Sequence, residues 1–380
     1  MSTIVLCHNT TQYLYLHYRD LIRSLVAAGI HVVCVAPKDT FVEKITGLGA
    51  VHVHWALSQH GVNPISEVRS ILGLGTLLRQ LQPARVMSFS IKPNLYAALL
   101  NVFRRRYRQF CMVTGLGYVF IGEGYFKKLF RTAIDMTYRV LFSSVDKVIF
   151  QNSGDRELFV SRRLVTSGKA VVIPGTGIDL DYFSAKSDYK KSPVIRFLFV
   201  GRLLQDKGLG ELLQAASALS SHNIEVAILG PYDDNPGGSD RKQIQDAVNL
   251  GTIAYLGVTE DVRPQLLASD VFVLPSYREG LSRSILEAMA TGLPVITTDV
   301  PGCQDLVENG VNGMLVPPRN SQALAEAMRR FVEQPALIEQ FGRASRRIAE
   351  ESFDVEHVNK MLFQYMGLEQ LLDGSCVRQE

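Results

Sequence analysis

Hydrophobic positions along the chain gather in short β-branched runs, separated by longer segments in which apolar residues recur every three or four positions. In the first half the runs are STIVLC, HVVCVA, VHVHW, ARVMSFS, QFCMV and DKVIF. Between them, segments 13–28, 40–48, 64–81, 93–103, 125–142 and 155–160 carry helical spacing. Runs that are apolar throughout, rather than alternating, predict strands covered on both faces, hence a parallel sheet with helices above and below. The same grammar restarts at IRFLFVG and continues through EVAILG, TIAYLG, DVFVLP, PVITT and GMLVP, with helices expected over 208–219, 240–250, 261–268 and 284–291. Residues 173–193, IPGTGIDLDYFSAKSDYKKSP, have no periodicity and predict a linker. The expected fold class is α/β, with two doubly wound, Rossmann-like parallel-sheet domains over 1–180 and 181–352. Three helical segments follow Asn320, and 353–380 is expected to be a helix and tail packing back towards the first domain. Open α/β sheets bind ligands at the carboxyl ends of their strands, so two in tandem predict a site in the cleft between them.

Composition agrees with this outline. At 380 residues the chain exceeds the roughly 250–300 that one core accommodates, and 47% hydrophobic with 20% charged residues excludes a disordered or low-complexity chain. Cys7, Cys34, Cys111, Cys303 and Cys376 form no CxxC pair, so neither a disulfide framework nor a zinc site is expected, and a reducing cytoplasm is the expected setting. The opening MSTIVLCHNTTQ lacks the features of a secretory signal, and no stretch approaches the roughly 18 uninterrupted apolar residues of a membrane span. Charge adds something new. Residues 1–180 hold 21 Lys+Arg against 10 Asp+Glu, net +11, and residues 181–380 hold 19 against 27, net −8. A basic half suggests a polyanionic partner, either nucleic acid or an anionic membrane; mutual attraction of the two halves is the bland alternative.

Candidate chemistry begins at FVGRLLQDKG (199–208), where a buried run ends at Gly201, Arg202 follows, and Lys207 and Gly208 open a helix. Gly201 lets a ligand approach the backbone, the Arg202 fork grips two phosphate oxygens, Lys207 adds a compact charge, and the helix start adds oriented N–H groups. By spacing alone a solvated strand-to-helix turn explains the block equally well. LPSYREGLSRSILEAMATGLPVI (274–296) places Glu279 before a helix and Glu287 in its first turn, with Gly280, Leu281 and Ser282 as a backbone nest for an anion. Carboxylates do not bind phosphate, so the two glutamates are expected to hold hydroxyls. Taken alone, Ser284-x-x-Glu287 reads better as a capping box.

FVGRLLQDKG, LGVTEDVRPQLLASDVFVLPSYREG and SILEAMATGLPVI, in this order within residues 195–318, resemble glycosyltransferase family 4. The resemblance implies the GT-B fold of two Rossmann-like domains and a retaining transfer. It implies Arg202 and Lys207 on the donor diphosphate beside Gly201, Glu287 on the ribose hydroxyls, and Glu279 with the backbone of Gly280, Leu281 and Ser282 on the donor sugar. Arg202, Lys207 and Glu279 are the catalytic candidates: in front-face attack the departing phosphate accepts the acceptor proton, and cations stabilise the leaving diphosphate where charge develops.

In the first half, FCMVTGLGYVFIGEGY (110–125) and YLHYRDLIRSL (15–25) are similar to a bacterial subgroup. Its members add an N-acetylhexosamine, in the nearest type by α-1,3-N-acetylgalactosaminyl transfer, to an undecaprenyl-diphosphate-linked sugar in O-antigen, capsule or N-glycan assembly. Two departures stand out. Thr114 stands where many members carry a histidine, whose role is not carried over. The first loop, CHNTTQYLY, lacks the glycine pair used under the donor phosphate, leaving Asn9, Thr10 and Thr11 to offer hydroxyls and helix-start amides. Gly115 and Gly117 allow a mobile loop near the sugar, or a tight turn. His17, with Arg19 on the same segment, is expected on the substrate side or a helix face rather than as a base. No Asp-x-Asp signature lies near these motifs and Asp233-Asp234-Asn235 reads as a turn, so no metal and no cofactor is expected.

The acceptor side is read from Arg104, Arg105, Arg106 and Arg108, and from segment 125–142. There Lys127, Lys128, Arg131 and Arg139 flank Phe126, Leu129, Phe130, Ala133, Ile134, Thr137 and Leu141, as in a helix resting on an anionic bilayer. Alone, a core helix is the better reading; a lipid-linked acceptor tips it towards the membrane. The expectation is a peripheral enzyme on the cytoplasmic face of the inner membrane, with a UDP-sugar and a polyprenyl-diphosphate-linked acceptor as partners. The rivals are a GT-B sugar-nucleotide epimerase, which needs no lipid acceptor, and a nucleic-acid-binding protein, for which no recognised motif is present.

Overall fold

The computed structural model describes residues 2–58, 63–102, 105–115, 125–189, 193–233 and 237–371, without the side chains of 125–133. The chain divides into two units, Met1–Gly177 with Val355–Glu380, and Ile178–Asp354.

Unit 1 begins β1 (Thr3–Cys7), α1 (Thr11–Ala27), β2 (His31–Ala36), α2 (Val42–Thr46), β3 (Val51–His54), α3 (Pro64–Leu81) and β4 (Arg85–Phe89). It continues α4 (Ile91–Val102), β5 (Arg108–Val113), α5 (Tyr125–Phe142), β6 (Lys147–Phe150), α6 (Ser153–Ser161) and β7 (Ala170–Val172). β7 has no counterpart among the expected elements, being a three-residue edge strand too short to show a period. Among the described residues the sheet order is β3-β2-β1-β4-β5-β6-β7, with every pairing parallel. Both faces are covered, as the apolar runs require. Ile4 and Leu6 enter one core with Leu14 and Ile22 of α1, while Val5 and Cys7 enter another with Trp55, Leu74 and Leu78.

Unit 2 begins β8 (Ile195–Val200), α7 (Leu209–Ala218), β9 (Ile224–Leu229), α8 (Arg241–Asn249), β10 (Ala254–Tyr255), α9 (Arg263–Leu267) and β11 (Val271–Leu274). It continues α10 (Arg283–Thr291), β12 (Val295–Thr298), β13 (Gly313–Val316), α11 (Ser321–Glu333) and α12 (Ala336–Ser352). Its sheet runs β10-β9-β8-β11-β12-β13, again parallel. The order reverses between β8 and β11, and at such a switch point crossovers leave in opposite directions and open a crevice at the carboxyl ends.

α13 (Val355–Met366) belongs to unit 1, where Val358, Leu362, Phe363 and Met366 share a core with Leu21 and Leu25 of α1. The chain crosses between units at 177/178 and 354/355 rather than at 180 and 352. Ile178, fully buried in unit 2, donates its N–H to Phe353 O at 2.8 Å, which draws the crossings together. Most of the expected linker is bound to unit 2. Lys186 N donates to Thr291 O, Lys186 Nζ to Ser269 O and Tyr189 Oη to Gly292 O, each at 2.8 Å. Among the described residues no helix is long and apolar enough to cross a membrane.

Candidate active site

The two motif blocks lie far apart in sequence but follow neighbouring strands at the switch point of unit 2, the first after β8 and the second after β11. After Gly201 the chain makes a one-turn 3-10 helix, Gln205–Lys207, and enters α7 through Gly208 at φ 71°. Lys207 therefore closes a short turn before α7 rather than opening the helix itself. A Cβ on Gly208 would sit 2.0 Å from Pro275 O, so only glycine lets the loop after β8 lie this close to the loop after β11. No side chain caps α7 at this end.

That approach brings Lys207 Nζ to 2.5 Å from Glu279 Oε1, both side chains largely buried. An ammonium has three donors, so Lys207, held in direction by Glu279, keeps two that this pair does not use. Glu279 Oε2 accepts no hydrogen bond among the described residues. Arg202, half exposed, donates from Nη1 to Asp233 Oδ2 at 3.1 Å. Asp233 is thus the ion-pair partner of Arg202 and not merely part of a turn; Asp234 and Asn235 lie outside the described residues.

The loop carrying Glu279 rests on the loop after β12. Glu279 N donates to Pro301 O at 3.3 Å and Ser282 N to Gly302 O at 3.4 Å. Gly302 is held at φ 82°, where a Cβ would sit 2.3 Å from Glu279 O. The expected three-amide nest over Gly280, Leu281 and Ser282 is corrected: the Ser282 amide is engaged by this support. Beneath it Cys303 is fully buried, and burial first, then the Glu279 charge, pushes its thiol up to about 12, which makes it an inert packing residue.

Helix α10 corrects the reading of Glu287. Its N-cap is Ser282, whose Oγ accepts from Ile285 N at 3.4 Å, so Ser284 is inside the helix and Glu287 stands in the second turn. The capping box needs a carboxylate three residues after the cap, and Ile285 occupies that place. Glu287 Oε1 instead accepts from Arg283 Nε at 3.1 Å. With the base N-terminal to the acid, this is the less favourable order on a helix, contributing no more than about 0.3–0.5 kcal/mol. Glu287→Gln is accordingly expected to leave the melting temperature nearly unchanged while weakening UDP binding roughly tenfold or more, the loss of one charge-assisted bond. Calorimetric titration beside a thermal melt reads both; unchanged affinity returns Glu287 to a purely structural role.

In unit 1 the loop after β1 is built from its own bonds. His8 is buried and its Nδ1 accepts from Thr10 N at 3.1 Å; burial drives its pKa down to about 3, so it is neutral. Thr10 caps α1, accepting from Tyr13 N at 3.0 Å. The Thr11 hydroxyl, fully buried, donates to Pro37 O at 2.7 Å and lies 2.9 Å from His52 Nε2. Gln12 N donates to Asp39 Oδ2 at 2.8 Å. A carboxylate therefore already occupies the helix start, which corrects the expectation that Thr10 and Thr11 offer hydroxyls and amides to a phosphate. His17 stacks on Tyr13 at 5.2 Å, and Tyr13 on His8 at 5.8 Å. Arg19 Nε lies 3.7 Å from Asp20 Oδ2. Thr114 and Gly115 follow β5, with nothing within 4 Å of where a Gly115 Cβ would be; Gly117 lies outside the described residues.

Residues 195–334 match the family profile described as Glycosyl transferases group 1. A Campylobacter jejuni protein, N,N'-diacetylbacillosaminyl-diphospho-undecaprenol alpha-1,3-N-acetylgalactosaminyltransferase, is 28% identical over 84% of this chain and 87% of its own. Residues 195–334 form a group 1 glycosyltransferase domain. An Escherichia coli UDP-Gal:alpha-D-GlcNAc-diphosphoundecaprenol alpha-1,3-galactosyltransferase is 31% identical to this glycosyltransferase over 56% of the chain and 59% of the relative. The structure of Anabaena HepE in complex with UDP-glucose superposes with a TM-score of 0.79 at 17% identity, covering 97% of this chain and all of that one. The fold is GT-B, two Rossmann-like domains in one chain.

Beyond the expected residues, the candidate site holds a second cluster beside Lys207. Tyr277 Oη donates to Glu211 Oε1 at 2.7 Å, and burial, then the Glu211 bond, pushes the phenol up to about 12. The Arg319 guanidinium stands 4.2 Å over the Tyr277 ring. Tyr277 N and Ser276 Oγ both donate to Asp206 O, at 2.7 and 3.2 Å, a second fastening between the two motif loops. Tyr277 lies within the quoted block, whereas Arg319 comes from beyond β13, with nothing in the sequence to connect it.

Of the expected membrane residues, Arg105 and Arg106 are exposed, while Arg108 stacks on Phe110 at 5.5 Å and lies 3.7 Å from Asp146. Arg104 and the side chains of Lys127, Lys128 and Arg131 lie outside the described residues. The later part of α5 is core. Tyr138, Leu141 and Phe142 are buried with Phe150 and Phe159, and Ile134 packs against them, which removes Ile134 and Leu141 from the expected bilayer face.

Proposed function

We propose that this glycosyltransferase moves an N-acetylhexosamine, N-acetylgalactosamine in the narrowest form of the reading, from a UDP-sugar to a polyprenyl-diphosphate-linked sugar, with retention and without a metal. The observation that carries it is the Lys207–Glu279 pair at 2.5 Å, formed by loops from neighbouring strands at the switch point. The names of the Campylobacter jejuni and Escherichia coli relatives support an acceptor linked to undecaprenyl diphosphate, and the second a UDP-activated donor. In this reading Lys207 and Arg202 meet the diphosphate, Glu279 Oε2 takes a hydroxyl of the donor sugar, and Glu287 holds the ribose. The acceptor hydroxyl attacks the anomeric carbon, the bond from that carbon to the phosphate oxygen breaks, and the hydroxyl proton passes to the departing phosphate. The two cations stabilise the charge that gathers there. His8 is a poor base for this step, because burial lowers its pKa to about 3 and leaves it little affinity for a proton. The enzyme works as a peripheral protein on the cytoplasmic face of the membrane, where such acceptors present their sugars, and builds a bacterial surface polysaccharide or glycan.

A panel of UDP-sugars incubated with a short-chain polyprenyl-diphosphate sugar, read by mass spectrometry and NMR, tests this. The expected product is the acceptor extended by one N-acetylhexosamine in α linkage, formed equally with a chelator present. Isomerised donor, or extension by a different sugar, overturns the reading.

A further inference from the structure

Helix α3 is apolar on two sides. Its inner side, Leu74 and Leu78, packs in the core with Trp55. Its outer side carries Ile65, Val68 and Leu72, which are 65%, 55% and 64% exposed and lie one above the other at helical spacing. A helix apolar all round belongs in a buried place, yet this row faces outwards. At its end opens a groove of about 670 Å³ lined by Leu72, Gly75, Leu78 and Arg79 of α3, Leu100 of α4, and Arg106. Gly75 lets α4 come close, since a Cβ there would meet Leu100 Cδ2 at 3.0 Å. Exposed Leu99 extends the apolar surface along α4.

The charged residues that border the row and line the groove are arginines. Arg69 and Arg79 flank the row on α3, and exposed Arg105 and Arg106 stand beyond the groove. Among the described residues none of the four is paired with a carboxylate. The acid of α3, Glu67, is on the other side of the helix, 2.8 Å from Lys92 Nζ. Other exposed apolar residues, such as Leu250 and Val258, lie in unit 2 without such a row of arginines.

We infer that this α3–α4 face is the surface by which the enzyme sits on a bilayer leaflet carrying anionic phosphate headgroups. Ile65, Val68 and Leu72 enter the acyl boundary, the groove receives an acyl chain, and the arginines reach the headgroups with their stems along the apolar surface. The inference deepens the proposed function, resting on its lipid-linked acceptor only for the purpose of the contact. It places that contact on α3 and α4, apart from the buried part of α5.

Sedimentation with vesicles of phosphatidylglycerol, against vesicles of phosphatidylcholine, tests it on the full chain. The protein is expected to bind the anionic vesicles and to be released by high salt. Arg69→Ala with Arg79→Ala is expected to weaken binding about thirtyfold, and Val68→Ser with Leu72→Ser at least about tenfold. Because these positions are exposed, melting temperatures and transfer to a water-soluble short-chain acceptor should be unchanged. Vesicle binding that survives both double substitutions overturns the inference. So does a lipid-free dimer, seen by analytical ultracentrifugation, that Leu72→Glu converts to monomer, since the face is then an interface between copies. Vesicle binding lost in these variants by a protein that transfers nothing to any polyprenyl acceptor would sink the proposed function and leave the surface standing.

Discussion

Lys207→Ala is expected to lower turnover on the order of a hundredfold to a thousandfold, the range for removing one donor aimed at developing charge. Arg202→Ala should cost less, about tenfold to a hundredfold, because Arg202 is half exposed and its charge is shared with Asp233. Truncating Lys207 has a second consequence, since it strands the largely buried carboxylate of Glu279. That structural part is separable. Adding Glu279→Gln to Lys207→Ala removes the unpaired charge and should recover most of any lost melting temperature. It should not recover turnover, because only Arg202, half exposed and shared with Asp233, then faces the diphosphate. A double variant with near wild-type turnover would mean that the pair only holds the loops together, and the phosphate role of Lys207 would fall.

The second large effect is expected at Gly208. An alanine there must hold φ near 71°, at about 1–2 kcal/mol, and its methyl would stand 2.0 Å from Pro275 O. The strain is relieved only if the loop after β8 moves away from the loop after β11, which pulls Lys207 from Glu279. The expected result is a lower melting temperature together with at least about tenfold weaker UDP binding, one lost charge-assisted contact or more. Gly210→Ala is the matched control: it lies two residues on, inside α7, with nothing within 4 Å of its Cβ position. It should be neutral or stabilising by about 0.5–1 kcal/mol. Equal behaviour of the two variants would show that the close approach of the loops is not what builds the site.

Much of this architecture is legible along the chain because burial on both faces of a parallel strand leaves an uninterrupted apolar run, as in IRFLFV and VFVL. The residues that meet at the switch point are legible too, since FVGRLLQDKG and SYREG carry unlike charges at strand ends, where α/β sheets bind. Misreadings came where a polar group had two possible uses. Ser282 and Ser284 are equally good caps by type, and the choice is made by Pro301 and Gly302, whose carbonyls fix the preceding loop. Thr11 looks available until β2 and β3 bring Pro37 and His52 against it. The row Ile65, Val68 and Leu72 has the period of a core face, and exposure alone marks it as something else.

What the sequence by itself determined is local: which segments are strand or helix, where they turn, and which residue types stand at each strand end. Periodicity records the burial each segment needs, and glycine at a positive φ records a turn. The tertiary structure alone decided which ends meet. Arg202 finds Asp233 across 31 residues and Tyr277 finds Glu211 across 66 because the sheet order sets β8 between β9 and β11. Strand order depends on how whole helices pack across the sheet, so no single stretch of chain contains it.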